Sequence, residues 1–154
     1  MSTELELATW RRSVGELYAA VRAEDDPQRG HALWRHGRDE LFRSHPQSSL
    51  LPGDPLRVTG LPYWPYDPQL RFDVPLLHAD QDLSLSVPTS EGATPMTRLG
   101  RVHLPAPVDA VIDLNFLYHP SCRYNDAWLC PLAPPGNTIS TRVSAGERLP
   151  AADG

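Results

Sequence analysis

Arg71-Phe72-Asp73-Val74-Pro75-Leu76, followed shortly by Leu83-Ser84-Leu85-Ser86-Val87, sets the fold class of this chain. In both runs apolar and polar residues alternate with a period of two, the pattern of a strand that buries one face and wets the other. Upstream the period is different. Leu7, Trp10, Val14, Leu17 and Val21 recur at steps of three and four and therefore share one helical face. Downstream, Thr89-Ser90-Glu91-Gly92 reads as a turn into a strand over 94–104, and a second turn leads into a strand over 110–118. A last alternating run, with Ile139, Thr141 and Val143, predicts a strand over 138–144. Consecutive strands with short turns imply an antiparallel meander, so the expected class is α+β: an N-terminal helix pair packed on a small antiparallel sheet or partial barrel.

The helix pair has its own punctuation. Thr3 with Glu6 fits a capping box at the start. Glu24-Asp25-Asp26-Pro27 ends the first helix and begins the second, with Asp26 as cap and Pro27 in the first turn. The second helix carries Leu33, Trp34, Leu41 and Phe42 and stops at His45, because Pro46 disfavours helical geometry before it. Gly30 and Gly37 are expected to weaken it. From 46 to 68 prolines and glycines crowd together, with at most a short strand over 56–59. Leu61, Tyr63, Trp64 and Tyr66 in that stretch carry too much apolar area for a solvated linker, so a rigid loop packed on the core is expected. The expected organisation is one domain over 1–148 (helices 3–45, proline-rich loop 46–68, β-meander 69–148) with a frayed tail over 149–154.

Composition sets limits on function. Proline supplies 17 of 154 residues, about twice the usual share, which excludes an all-helical bundle. All 14 basic residues are Arg, and without a lysine there is no Schiff-base chemistry and no phosphate-loop amine. A net charge of -5 argues against nucleic acid or an anionic membrane as partner. The polar start Met1-Ser2-Thr3-Glu4 lacks the basic and apolar regions of a secretory signal, and no apolar run approaches a membrane span. With only Cys122 and Cys130 in the chain, a cytoplasmic protein is expected rather than a disulfide scaffold. There is no dinucleotide-binding, phosphate-loop, nucleophile-elbow or EF-hand motif.

Asp113-Leu114-Asn115-Phe116-Leu117-Tyr118-His119-Pro120-Ser121-Cys122, then Cys130-Pro131-Leu132, Asn137 and Ala145-Gly146-Glu147, resembles a known signature. It is similar to that of a bacterial and archaeal family catalogued as domain of unknown function number 1684, whose members read Asp-Phe-Asn, Tyr-Asn-Pro and a cysteine, Cys-Pro-Leu-Pro, then Asn and Ala-Gly-Glu. The likeness extends upstream through Gly100-Arg101, Gly92 and Gly60-Leu61 to about Trp10, as in a short version of the family. His119, Leu114 and Ala133 depart from the pattern, standing where relatives have Asn, Phe and Pro. The resemblance implies no particular activity; it adds Asn137 and Glu147 to the candidate ligand-binding residues.

Two side chains on the 110–118 strand carry the leading chemical idea. Asp113 and Asn115 share a face with Val111 and Leu117, and polar groups there must be hydrogen-bonded or border a cavity. One reading makes Asp113 an acid/base group assisted by Asn115, Tyr118 and His119. The other makes both residues anchors of the proline-rich loop that follows the strand, accepting from and donating to its backbone. His119, Cys122 and Cys130 could ligate zinc or copper with an open fourth position, although structural zinc sites show two close pairs and only one is present. Those cysteines could instead form a disulfide or stay as two inert thiols, and Cys122 with His119 has the makings of a nucleophile and its base. Tyr63, Trp64 and Tyr66, with Tyr118, Tyr124 and Trp128, could supply aromatic walls for a small-molecule pocket or simply cover the small sheet. Arg101 is expected to pair with Glu147 or Asp113, or to receive a ligand carboxylate. The function expected is small-molecule binding with acid/base chemistry on an organic metabolite and no cofactor. The alternatives are a metal or thiol-redox module, or an interaction domain that docks a partner on its helix pair. Oligomeric state is not legible.

Overall fold

The computed structural model describes residues 3–74, 77, 84–89, 92–97, 110–128 and 142–148. Two helices lead: α1, Thr3–Ala23, and α2, Pro27–Ser44. Asp26 caps α2, accepting from the amides of Gln28 (2.8 Å) and Arg29 (3.2 Å), and Pro27 follows in the first turn. The other end stops at His45, which is extended ahead of Pro46. The expected boundaries therefore hold to within a residue, because caps and prolines act locally. Thr3 already lies inside α1, so it is not the cap the capping box required.

The face that α2 buries corrects the sequence reading. Leu33 is exposed, while Trp34 and Phe42 face inward as expected, joined by His31 and Arg38. Trp34 is fully buried at the centre of a cluster with Phe42, Leu50, Leu61 and Tyr63, onto which Trp10, Tyr18, Val21, Leu41 and Phe116 pack. Its ring meets Tyr63 at 5.4 Å and Phe116 at 5.3 Å, both edge-on, the arrangement the ring quadrupole favours. α1 is half-buried along Leu7, Trp10, Val14, Leu17 and Val21, as its periodicity requires. Gly37 has a packing role: a Cβ at that position would overlap the Leu17 side chain, so the missing side chain lets the two helices approach.

The proline-rich loop contains a one-turn helix, α3, Leu56–Thr59, where at most a short strand was expected. Arg57 ties the loop down by donating to the carbonyls of Leu50 (2.6 Å) and Arg43 (2.8 Å). Asp39 of α2 accepts from the Leu61 amide at 2.9 Å. These bonds deliver Leu61 and Tyr63 to the core, as the aromatic content of the loop predicted.

The strands are β1, Arg71–Val74; β2, Ser84–Thr89; β3, Gly92–Thr97; and β4, Ala110–Asp113. β2 and β3 form an antiparallel hairpin with Thr89 opposite Gly92. β1 pairs antiparallel with β4, Arg71 opposite Asp113, so the hairpin is inserted between two strands that pair with each other. The result is α+β with antiparallel pairing, but among the described residues two two-stranded sheets replace the expected meander. β4 also ends at Asp113, where the chain turns into a 3-10 helix, Leu114–Phe116, and the expected strand over 110–118 is cut short. Residues 142–148 form a strap. Its Gly146 carbonyl accepts from the Trp64 amide (2.8 Å), the Pro62 carbonyl accepts from the Arg148 amide (2.9 Å), and the Leu117 carbonyl accepts from the Glu147 amide (2.8 Å). Among the described residues no helix is long and apolar enough to cross a membrane.

Candidate functional site

Asp113 and Asn115 are built as anchors. Asp113 Oδ1 accepts from the Asn115 amide (3.0 Å) and from its Nδ2 (2.8 Å), capping the 3-10 helix. The Asn115 side chain then reaches Asp67 in the proline-rich loop, where its Oδ1 accepts from the Asp67 amide and its Nδ2 donates to the Asp67 carbonyl, both at 2.8 Å. Asn115 is fully buried, and this reciprocal pair satisfies it much as a backbone ladder would. The second Asp113 oxygen lies 4.0 Å from Arg71 Nε. Of the two roles open from sequence, these contacts are those of the anchor, although the loop held is the one before the sheet rather than the one after it.

A different polar cluster forms where α2, the 62–64 edge, the 117–119 turn and the strap converge. Arg38 Nη2 donates to Glu147 Oε2 at 2.7 Å across 109 residues of chain, and the Glu147 side chain has no solvent exposure. The His119 amide donates to the same oxygen at 3.3 Å. Among the described residues the partner of Glu147 is Arg38; the expected partner, Arg101, lies outside them. The guanidinium also stacks over Tyr118 (4.7 Å), Phe42 (4.9 Å) and Trp34 (5.4 Å), so rings and carboxylate together offset its desolvation. Ala145-Gly146-Glu147 owes its pattern to this packing. Ala145 and Glu147 are buried on either side of Gly146, whose φ of +69° favours glycine and where a Cβ would overlap the Leu117 carbonyl.

Saturation stops at this point. Glu147 Oε1, His119 Nε2, Arg38 Nε and the Tyr63 hydroxyl are buried without a hydrogen-bond partner. Burial pushes the Glu147 carboxyl above its ordinary range even though Arg38 pulls it down. Burial, aided by Arg123 and Arg38, holds the His119 imidazole below its usual value and therefore neutral at pH 7. Burial likewise raises the phenols of Tyr63 and Tyr118. Beside the cluster lies a cavity of about 500 Å³. Its walls are Pro62 and Trp64 on one side, His119 on another, and Arg142, Val143, Glu147 and Arg148 of the strap. The Arg148 guanidinium stands 5.7 Å from the Trp64 ring centroid.

Of the sequence candidates, Trp64, His119 and Glu147 come together at this cavity, and Tyr63 is paired backbone to backbone with Glu147 just behind it. Tyr118 covers Arg38 from the outside and is itself exposed. Tyr66 packs instead on His31, 5.6 Å away. Cys122 sits half-buried in the 3-10 turn Ser121–Arg123, while Cys130 and Asn137 lie outside the described residues. No group of three metal-ligating side chains occurs among the described residues. Sequence reading missed Arg38, Arg142 and Arg148. The signal for Arg38 was present: it stands four residues from both Trp34 and Phe42 and so on their face.

Residues 101–148 match the model of the family described as "Protein of unknown function (DUF1684)", the family that the signature resembles. The match covers the C-terminal part of the chain, including the 117–119 turn and the strap, and is narrower than the resemblance traced back to Trp10. No curated protein matches the chain.

Proposed function

We propose that this chain binds a small organic molecule in the cavity between the 62–64 edge and the strap, with His119 as the group that accepts a proton from it. The observation that supports this reading is the coincidence of a cavity of about 500 Å³ with buried polar atoms, His119 Nε2 and Glu147 Oε1, that have no partner. Buried polar groups are normally paired, and the exceptions concentrate where a ligand or water completes the set. The volume lies within the few hundred to about a thousand Å³ typical of small-molecule sites. A neutral imidazole suits a general base, and the Glu147 carboxylate beneath it, neutralised by Arg38, keeps the His119 backbone in place. Such chemistry needs no cofactor, and a cytoplasmic metabolite is the fitting class of ligand for a chain with an acidic net charge and no nucleic-acid motif.

The test is a fragment panel titrated into the 154-residue chain, followed by NMR at the His119 ring and the Trp64 indole. Binders should move both signals together and leave the Asn115 amide still. A panel that moves neither signal overturns the reading.

A further inference from the structure

The charge distribution around the cavity narrows the ligand further. Arg142 and Arg148 both line it, and among the described residues neither side chain has a carboxylate partner. The carboxylate among the lining residues, Glu147, is already paired with Arg38 at 2.7 Å and fully enclosed, so it offsets Arg38 and not the two strap arginines. The walls therefore carry two uncompensated positive charges in a chain whose net charge is -5. Scattered surface arginines would call for no explanation. These two stand six residues apart on one strap that is pinned on both sides by main-chain hydrogen bonds, and both, though exposed, line the same cavity. The Trp64 ring orients the Arg148 guanidinium, and a guanidinium so held presents a planar fork suited to a two-oxygen anion. The remaining walls, Pro62, Val143 and the indole of Trp64, are apolar and flat.

We infer that the ligand carries an anionic group, carboxylate or phosphate, that is gripped by Arg142 and Arg148 and joined to a flat apolar body lying against Trp64, Pro62 and Val143. This inference rests on the ligand site proposed above and deepens it. It also divides the labour within the cavity: the arginines fix the anionic end and so decide which part of the molecule reaches His119.

The experiment uses three probes of one shape: 2-naphthoate, 2-naphthyl phosphate and the neutral 2-naphthamide. Each is titrated into the full chain and into Arg142→Gln and Arg148→Gln, with the Trp64 and His119 signals as readout and thermal unfolding as the check on folding. At least one anion should bind about tenfold or more tightly than the amide, and each Arg→Gln change should remove about that factor for the anion alone. Arg148→Lys, which keeps the charge without the fork, should restore part of it. Whichever anion binds more tightly identifies the group as carboxylate or phosphate. If naphthamide binds as well as the anions, or the Gln variants bind anions unchanged, the inference is overturned while the ligand site stands. It is overturned in the same way if only neutral or cationic members of a wider fragment panel move the signals. If nothing moves them, both fall.

Discussion

Two buried polar clusters flank one short segment of chain. At its start Asp113 and Asn115 meet Asp67; five or so residues on, His119 meets Glu147 and Arg38. In the first cluster the Asn115 amide and the Asp67 peptide exchange two hydrogen bonds at 2.8 Å, and the acceptor on Asp113 is filled twice. In the second, the ion pair is short and enclosed, yet four polar atoms around it lack partners, and two of their residues, His119 and Glu147, line the cavity. Both clusters join distant parts of the chain. Buried atoms without a partner also occur elsewhere, at His31 Nε2 and Ser49 Oγ among others. Those of His119 and Glu147 belong to residues that line a cavity, and that coincidence is what distinguishes a place for a ligand from a piece of architecture.

The contrast is tested most severely at the ion pair. Glu147→Ala or Arg38→Ala leaves a buried charge alone and should cost about 3–5 kcal/mol in urea unfolding, whereas Arg38→Met with Glu147→Leu together should recover most of that loss. Equal losses in the single and double variants would mean that the pair is not coupled. Next comes Asn115→Ala, which strands the Asp67 amide and carbonyl and should cost about 2–3 kcal/mol. Its probe affinity at the cavity should stay within error of the parent chain, since architecture and site are separate; a parallel loss of binding would merge the two clusters into one.

A smaller effect comes from pH. Burial holds His31 and His119 below the ordinary imidazole value of 6.5, so the unfolded chain takes up protons before the folded one does. The stability they contribute is complete above 6.5 and is lost as pH falls through that value towards their depressed folded values. Glu147 acts in the opposite sense. Its folded value is raised above 4.5, so its contribution is present below 4.5 and lost as pH rises through the folded value. The urea midpoint should thus drop as pH is lowered from neutral into the mildly acid range, and His31→Phe should flatten the slope. A midpoint that responds to pH in the same way with and without His31→Phe would contradict the burial of that imidazole. The smallest expected change in stability is at Arg142→Gln and Arg148→Gln, within about 0.5 kcal/mol, because both side chains are exposed and neither has an ion-pair partner among the described residues.

How much of this was legible depends on distance along the chain. Asp26-Pro27 and His45-Pro46 marked the ends of α2 because a cap and a proline act on their immediate neighbours. The load of aromatic side chains in a proline-rich stretch marked Tyr63 as buried, since that much apolar surface is not left in water. The strand over 110–118 was misjudged past Asp113 because Leu114 and Phe116 continue the alternation, while the Asp113 side chain caps a tighter turn that no periodicity reveals. In the candidate site Trp64, His119 and Glu147 were named from residue type and signature, but nothing local connected them.

Residue order alone dictated the helix pair, the change of period that makes the chain α+β, the buried aromatic core and the absence of lysine chemistry. Those are matters of neighbouring residues and of bulk hydrophobicity. Packing in three dimensions selected the rest: that β1 pairs with β4 around an inserted hairpin, that Arg38 meets Glu147, and that the strap closes a cavity against residues 62–64. Each of those contacts joins residues dozens of positions apart, in the ion pair 109, and its partner is chosen by which donors and acceptors the packed core leaves unsatisfied.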